Sequence, residues 1–295
     1  MGFTAGIVGL GLIGGSLAKA LRAYADCQIF GTDASQETLE AARGDGVLTG
    51  ELTEQTIPQC EWIFVALYPV DAVKWVEKYA QSISRNCVLI DLCGVKRQVC
   101  AGIAPLAKAH GFTYIGGHPM AGVARFGYSN ADKDLFRGAS MLLMPETPTE
   151  PALKARLVAM FRTVGFGFLK WTQPDEHDRM IAYTSQLAHV LSSAYAQSPS
   201  SARHIGFSAG SLRDMTRVAT LKVDMWAELF MENREYLAEE VEALCARLTS
   251  YARALREDDI TSVSELLQRG CDAKRHMEEE ELRYADGSHP DIQIL

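Results

Sequence analysis

A histidine between glycine and proline residues is the side chain of this sequence best suited to chemistry. His118 follows Gly116 and Gly117, and Pro119 comes directly after it. Two glycines let the backbone approach a neighbour closely, and proline fixes the local turn. An imidazole held in this way accepts a proton near neutral pH. We therefore expect His118 to act at the mouth of a sheet, the alternative being a loop histidine that caps local backbone groups.

A glycine-rich turn lies near the start of the chain. Gly9, Gly11 and Gly14 form a GxGxxG pattern, with Leu12 and Ile13 before the last glycine. The pattern follows a predicted strand and opens a predicted helix, which is the context in which it binds a dinucleotide. The pyrophosphate then lies on free N–H groups at the helix N-terminus. We expect these five residues to bind the cofactor.

The next predicted strand ends at Asp33, which indicates which dinucleotide is bound. Its carboxylate can accept hydrogen bonds from both ribose hydroxyls and would repel a 2′-phosphate, and no arginine follows within the next few positions. The sequence therefore favours NAD over NADP. The alternative is a structural glycine turn followed by a solvated aspartate.

Short apolar runs alternate with segments of helical periodicity in the first half of the chain. Strands are predicted at 6–9, 28–33, 62–67, 88–92, 113–115, 140–144 and 167–171. Helices are predicted at 16–24, 36–43, 70–82 and 150–164. This alternation is typical of βαβ units and a parallel sheet. We expect an N-terminal doubly wound Rossmann domain over residues 1–172.

The pattern changes after residue 172. Helices are predicted at 177–197, 202–220, 224–256 and 261–281. They predict an all-α C-terminal domain over residues 173–295 in a chain of α/β class. Because the segment 224–256 is long for a small domain, we expect dimerisation there, with a monomeric bundle as the alternative. The polar tail from residue 286 is expected to be extended or loosely ordered.

Composition excludes several classes of protein. A net charge of −8 argues against a nucleic-acid or anionic membrane surface. The sequence has no apolar run long enough to span a bilayer and no signal peptide pattern, so a cytoplasmic protein is expected. The seven cysteines are scattered without a CxxC pair, and no HExxH occurs, so we expect reduced thiols and no metal site.

Four further segments make the pattern specific. They are Asp91–Lys96, the HPMAG stretch at 118–122, Glu176–Arg179 with Ser185–His189, and Arg213–Arg217. With the glycine-rich turn, and in this order, they resemble the prephenate dehydrogenase family, which includes arogenate dehydrogenases. The resemblance extends over nearly the whole chain, from Gly6 to about Asn233.

The resemblance implies oxidative decarboxylation of prephenate, a small dicarboxylate, to 4-hydroxyphenylpyruvate on the route to tyrosine. His118 matches the family's catalytic histidine, which accepts a hydrogen bond from the ring hydroxyl. Arg217 matches an arginine that binds a substrate carboxylate, and His189 matches a second substrate-binding histidine. Asp214, three residues before Arg217, is expected to orient it.

The segment after the fourth predicted strand departs from the family pattern. Gly94 replaces a serine that many relatives place beside the catalytic histidine, and we expect it to line the substrate site. Lys96 is expected to add positive potential near the nicotinamide or a carboxylate, with a surface lysine as the alternative. Cys93 is expected to be a small structural residue. His177 and Asp178 are expected to be structural or hinge residues.

Three alternatives remain at this point. Arogenate is a possible substrate in place of prephenate. A β-hydroxyacid dehydrogenase or imine reductase would need a catalytic lysine in the helical domain, where Lys222 stands in the wrong pattern. A non-catalytic NAD-binding regulator is motivated by the absent serine, while the retention of His118, Arg217 and Asp33 argues against it.

Overall fold

The computed structural model of the protein describes residues 2–122, 125–285 and 292–295. The chain divides into two compact units. The first comprises Met1–His177 with Gln293–Leu295, and the second comprises Asp178–Ile292. The division lies close to the boundary between residues 172 and 173 that the sequence suggested.

A mixed sheet forms the centre of the first unit. Its strands are β1 (Phe3–Val8), β2 (Cys27–Thr32), β3 (Gly50–Glu51), β4 (Trp62–Val65), β5 (Val88–Asp91), β6 (Thr113–Pro119), β7 (Ser140–Pro145), β8 (Phe168–Trp171) and β9 (Ile292–Ile294). Within the described residues the strand order is β3-β2-β1-β4-β5-β6-β7-β8-β9. The helices are α1 (Leu12–Tyr24), α2 (Gln36–Gly44), α3 (Pro69–Tyr79), α4 (Arg97–His110), α5 (Pro151–Val164) and α6 (Pro174–Ile181).

The central strands β4 and β5 are buried along their whole length and are apolar except for Asp91, the last residue of β5. Continuous burial of this kind is typical of parallel strands in α/β folds. The doubly wound Rossmann arrangement expected from the sequence is therefore confirmed for this unit.

The sheet is not parallel throughout, contrary to the expectation. Strand β7 pairs with β6 antiparallel, while β8 pairs with β7 parallel. Antiparallel neighbours need no crossover helix, and the described part of the β6–β7 connection carries only a short 3-10 turn at Tyr128–Asn130. Strand β6 extends four residues beyond the predicted run because its last residues pair with β7.

The end of the chain contributes the edge strand β9. Leu295, the residue that follows this strand, donates its backbone N–H to the carbonyl oxygen of Gly167 at 2.9 Å. The tail was expected to be extended or loosely ordered, and Ile292–Ile294 is an extended strand. The remainder of that tail, 286–291, lies outside the described residues.

The second unit is helical in its described part. Its helices are α7 (Leu187–Ala196), α8 (Gly210–Thr216), α9 (Val223–Glu232), α10 (Arg234–Arg256) and α11 (Ile260–Ala285). A π-helical turn at Ala182–Gln186 leads into α7. Of the helix predicted at 202–220, only α8 and the end of a 3-10 turn at Pro199–Arg203 are helical.

The single helix predicted at 224–256 is wrong, because it breaks at Asn233. The buried Asn233 amide donates from Nδ2 to the carbonyl oxygen of Asp178 and to Oε1 of Gln186, both at 2.8 Å. The Asn233 side chain thus bonds to residues distant in the sequence at the point where the helix is interrupted. These hydrogen bonds tie the α9–α10 junction to the start of the second unit and to the π-helical turn.

The described ranges contain neither a candidate membrane span nor a candidate metal cluster. None of the helices there is both long enough and apolar enough to cross a membrane. The same ranges hold no group of three or more His, Cys, Asp or Glu side chains arranged to bind a metal ion.

Candidate active site

The glycine-rich turn connects β1 to α1, and its three glycines meet different surroundings. Gly9 has φ +84°, and a Cβ there would lie 2.5 Å from the carbonyl oxygen of Ala66. A Cβ at Gly14 would overlap the carbonyl oxygen of Gly9. A Cβ at Gly11, in contrast, would meet no described atom within 4 Å. The first and third glycines are therefore required by the turn and by helix–strand packing, whereas Gly11 leaves an open space.

That open space fits a pyrophosphate. Helix α1 begins at Leu12, so Leu12, Ile13 and Gly14 form its first turn. The N–H groups of a first helical turn have no acceptor within the helix, and the helix dipole favours negative charge there. A phosphate group in front of Gly11 would therefore meet a backbone that can hold it.

Asp33 is fixed beside this turn. It follows β2, and its Oδ2 accepts the N–H of Leu10 at 2.7 Å while its Oδ1 accepts the N–H of Ser35 at 2.8 Å. Each carboxylate oxygen has a further acceptor site. The side chain is partly exposed, so those remaining sites can serve ribose hydroxyls next to the glycine-rich turn.

His118 lies within strand β6, three residues beyond the run predicted at 113–115, so the alternative of a loop histidine is wrong. It is the sixth residue of β6 and stands opposite Leu142 of β7. The close approach expected from the preceding glycines is confirmed, since a Cβ at Gly117 would lie 2.6 Å from the carbonyl oxygen of Asp91. The imidazole is thus carried by a rigid sheet.

The strand register places His118 at the same sheet edge as the glycine-rich turn. Val8 aligns with Val65, Val65 with Asp91, and Asp91 with Gly116. His118 lies two residues beyond this row, at the carboxyl edge of the parallel strands. Three strand spacings separate β1 from β6, which is about 14 Å. A dinucleotide that starts at the turn and runs along this edge would extend towards His118.

A second histidine contacts His118 directly. Nδ1 of His118 lies 2.8 Å from Nε2 of His177, and the ring centroids are 5.0 Å apart. His177 belongs to α6 and is 2 % exposed. The expectation that His177 is only structural or a hinge residue is therefore incomplete. The motif that contains it was visible in the sequence, but a contact across 59 positions was not.

His118 is electrically neutral in these surroundings. Burial, together with the nearby His177 and Lys96, lowers the pKa of His118 well below its ordinary value of 6.5. A neutral imidazole has one unprotonated ring nitrogen. His118 can therefore accept a proton at neutral pH.

A buried ion pair lies behind this strand. Lys96 pairs with Asp91, and its Nζ also donates to the carbonyl oxygen of Gly117 at 2.6 Å. Asp91 further accepts the hydroxyl of Tyr114 at 2.7 Å and the N–H of Cys93 at 3.0 Å. Both charged side chains are 0 % exposed. Lys96 is therefore neither a surface lysine nor placed to contact a substrate carboxylate, and its effect on the site is electrostatic.

The charges of this pair are stable for a physical reason. Burial alone would lower the pKa of Lys96, but the adjacent Asp91 carboxylate, together with Cys93 and Cys100, outweighs it, so the pKa is raised and the ammonium persists. Burial and Asp91 raise the pKa of the Cys93 thiol well above its ordinary value. Its Sγ donates to the carbonyl oxygen of Leu67 at 3.4 Å, which confirms a structural role. Gly94 lies between these residues and is partly exposed.

The predicted substrate-binding residues of the second unit lie on and after α8. Arg217 directly follows that helix, is exposed, and its N–H lies 3.4 Å from the carbonyl oxygen of Asp214. In the part of the chain that the structure describes, no ion pair joins their side chains. The orienting contact expected from Asp214 is thus absent, and the Arg217 guanidinium remains open to solvent.

His189 lies in α7 of the same unit. Its Nδ1 is 3.0 Å from the carbonyl oxygen of Val218, and its ring stands 3.8 Å, centroid to centroid, from that of Trp226. Because a carbonyl oxygen only accepts, Nδ1 carries the hydrogen. Nε2 is then the nitrogen left for other partners.

Comparison with known families covers both units. Residues 17–166 match the model of the nucleotide-binding domain of prephenate dehydrogenase, and residues 173–269 match the model of the dimerization domain of prephenate dehydrogenase. The prephenate dehydrogenase of Bacillus subtilis (strain 168) is 24% identical over 261 residues, which are 86% of this chain and 70% of that protein.

Solved structures show the same fold. The arogenate dehydrogenase of Synechocystis superposes with a TM-score of 0.76 at 25% identity, covering 92% of this chain and 99% of that one. The prephenate dehydrogenase of Aquifex aeolicus, in complex with hydroxyphenyl propionate and NAD+, gives a TM-score of 0.78 at 22% identity. That comparison covers 94% of this chain and 99% of that one.

Proposed function

Because this chain belongs to the prephenate dehydrogenase family, we propose that it catalyses the NAD-dependent oxidative decarboxylation of prephenate to 4-hydroxyphenylpyruvate. The observation that carries the proposal is a neutral, strand-held His118 at the sheet edge that also bears the glycine-rich turn. A proton acceptor at that edge suits oxidation of a ring carbinol.

The cofactor proposal rests on the turn and on Asp33. When bound, NAD supplies the acceptor for the hydride that leaves the ring carbon. Gly11 leaves room for the pyrophosphate, and the first turn of α1 offers it backbone N–H groups. The fixed carboxylate of Asp33 accepts from the ribose hydroxyls and repels a 2′-phosphate.

His118 accepts the proton of the ring hydroxyl while hydride leaves the same carbon. The O–H bond breaks, an N–H bond forms on the imidazole, and the electron pair left on oxygen completes the carbonyl. The C–C bond to the ring carboxylate then breaks and releases CO2, and its electron pair makes the ring aromatic and turns the carbonyl into a phenolate. The phenolate oxygen takes a proton back from the His118 imidazolium, and aromatisation drives the reaction forward. Burial above all, with His177 and Lys96 nearby, lowers the pKa of His118 and so keeps it neutral, and Nζ of Lys96 donates to the carbonyl oxygen of Gly117.

A substrate with two carboxylates needs a cation, and we assign that role to Arg217. An exposed guanidinium can bind a carboxylate with two parallel hydrogen bonds. His189 presents Nε2 beside Trp226, so it contributes a polar contact and a stacking surface. Gly94 leaves room beside the loop after β5, where many relatives would place a serine side chain.

Arogenate is the second candidate substrate, favoured by the likeness to the Synechocystis arogenate dehydrogenase. The two substrates share the ring carboxylate and the ring carbinol, on which His118 acts. They differ in a side-chain ketone or amine. The β-hydroxyacid dehydrogenase and imine reductase alternatives lose support, since the family models match both parts of the chain.

We further propose that the protein is a homodimer formed through its helical unit. The second matched model is the family's dimerization domain. Large apolar side chains are exposed along α10 and α11 of a single chain; they include Leu248, Leu255, Ile260, Leu267 and Leu282. Burying such a surface against a second copy removes it from water.

A spectrophotometric assay tests the function. The purified protein is mixed with NAD and either prephenate or arogenate, and NADH is followed by absorbance while the product is identified by chromatography. We expect NADH and 4-hydroxyphenylpyruvate in equal amounts from prephenate. If NADH forms only with arogenate, then arogenate is the substrate. If NADH forms with neither compound, the proposal is refuted.

A further inference from the structure

The contact between the two histidines of the first unit has a role beyond packing. We propose that His177 is a positioning residue for His118: its Nε2 accepts the Nδ1–H of His118 and so leaves Nε2 of His118 unprotonated and directed to the substrate. The contact between the two rings is independent of the proposed function, whereas the direction of the hydrogen bond and the identity of the substrate rest on it.

The chemistry of a neutral imidazole decides which nitrogen carries the hydrogen. The two facing nitrogens are 2.8 Å apart, so one donates and the other accepts. If His177 donated, the hydrogen of neutral His118 would lie on Nε2, and His118 could not accept the proton of a hydroxyl there. Proton acceptance at Nε2 therefore requires His118 to donate through Nδ1.

The same bond becomes stronger when the proton arrives. After the hydroxyl proton moves to Nε2, His118 is an imidazolium with hydrogens on both nitrogens. Its Nδ1–H still points at Nε2 of His177, and hydrogen bonds from a charged donor are shorter and stronger than neutral ones. A neutral His177, accepting this bond at Nε2, thus supports the protonated state in the way that a third group orients and supports a catalytic base, whereas a positive charge on His177 would lower the pKa of His118.

His177 is held firmly enough for this task. It is 2 % exposed, and its backbone N–H donates to the carbonyl oxygen of Gln173 at 2.9 Å. The first turn of α6 is further fixed by the hydroxyl of Thr172, which donates to Oε2 of Glu176 at 2.6 Å. Gly94, without a side chain, cannot supply this contact. His177 thus supplies, from a different part of the chain, the contact to His118 that the absent serine cannot make.

Nuclear magnetic resonance reads the tautomer without any substrate. In protein labelled with 15N at its seven histidines, long-range proton–nitrogen spectra distinguish protonated from unprotonated ring nitrogens. Spectra of His118→Asn and His177→Gln identify the two residues. We expect His118 to be neutral with its hydrogen on Nδ1 at pH 7.5. A wild-type His118 with its hydrogen on Nε2 would overturn the proposal.

Two substitutions separate positioning from packing. His177→Leu removes the acceptor, and His177→Gln retains an oxygen near the place of Nε2. We expect His177→Leu to lower kcat by about 10- to 100-fold with the KM for prephenate nearly unchanged, and His177→Gln to restore most of the rate. His276→Leu, at an exposed histidine of α11, is the control and should keep the wild-type kcat.

The outcomes are distinguishable. If His177→Leu folds and keeps both the wild-type kcat and the Nδ1–H tautomer, His177 does not position His118. If it does not fold, the spectrum of His177→Gln decides, because loss of the Nδ1–H tautomer there contradicts the proposal and its retention supports it. If wild-type protein oxidises neither prephenate nor arogenate but His118 has the expected tautomer, the substrate assignment fails and the positioning stands.

Discussion

Replacing Lys96 by methionine removes one charge from an ion pair that is completely buried. Both side chains of the pair with Asp91 are 0 % exposed, so the remaining carboxylate would stay in the core without its counter-ion. Breaking a buried pair by removing one partner costs about 3–5 kcal/mol. The free energy of unfolding of native proteins is about 5–15 kcal/mol, so Lys96→Met should remove a large part of the stability of the first unit.

The second partner provides an internal test of this magnitude. In the double variant Lys96→Met, Asp91→Asn no charge remains, while the amide can accept the N–H of Cys93 at its oxygen and donate from its nitrogen to the hydroxyl oxygen of Tyr114. We expect the double variant to be more stable than Lys96→Met by about 1–3 kcal/mol. Lys108→Met, at an exposed lysine of α4, the helix that begins directly after Lys96, is the matched control and should stay within about 0.5 kcal/mol of wild type.

Urea unfolding followed by circular dichroism measures these free energies. Hydrogen exchange of peptides from β5 and β6 shows whether the loss is located beside the pair. A Lys96→Met protein whose free energy of unfolding lies within about 1 kcal/mol of the wild-type value would refute the reasoning, because a buried unpaired carboxylate destabilises the folded state by more than that. It would mean that Lys96 reaches solvent or substrate.

Three further predictions concern the cofactor, the proton acceptor and the substrate carboxylate. Asp33→Asn should weaken NAD binding by about 10- to 100-fold and reduce the ratio of the NADP Kd to the NAD Kd, because a charged hydrogen-bond acceptor is lost. Fluorescence titration with both cofactors measures the two Kd values, and an unchanged ratio would contradict the assignment of Asp33. Because His118 acts when neutral and its pKa is lowered by burial, kcat/KM should begin to fall only well below pH 6.5; a pH profile whose acid limb starts at or above that value would be inconsistent with a buried base. Arg217→Ala should raise the KM for prephenate by about 10- to 100-fold with kcat little changed. The control Arg256→Ala should leave both kcat and KM unchanged. Equal effects of the two variants on KM would show that Arg217 does not bind the substrate.

Local patterns in the sequence were sufficient for much of the fold. The glycine-rich turn, the apolar strands and the helices between them follow from short-range periodicity and from the conformations that glycine allows. Asp33 and the turn are close in sequence to the strands that carry them, so their proximity could be predicted. The central strands β1, β4 and β5 were recognisable because burial on both faces makes most of their residues apolar.

The features that sequence reasoning missed are contacts between distant residues. The break at Asn233 depends on acceptors near residue 180, and the antiparallel β6–β7 pair depends on a connection without a crossover helix. The burial of Lys96 depends on Asp91 and on a carbonyl of another strand. His177 reaches His118 from a helix 59 positions away. Periodicity and propensity carry no information about such pairs.

The most direct test of the role of His118 is the rate of NADH formation from prephenate in a single turnover, measured for wild type and for His118→Asn with NAD at saturation. Loss of the proton acceptor should lower this rate by about 10²- to 10⁴-fold, while the Kd for NAD stays nearly unchanged because Gly11 and Asp33 are untouched. A variant that forms NADH at the wild-type rate would show that His118 does not accept the hydroxyl proton.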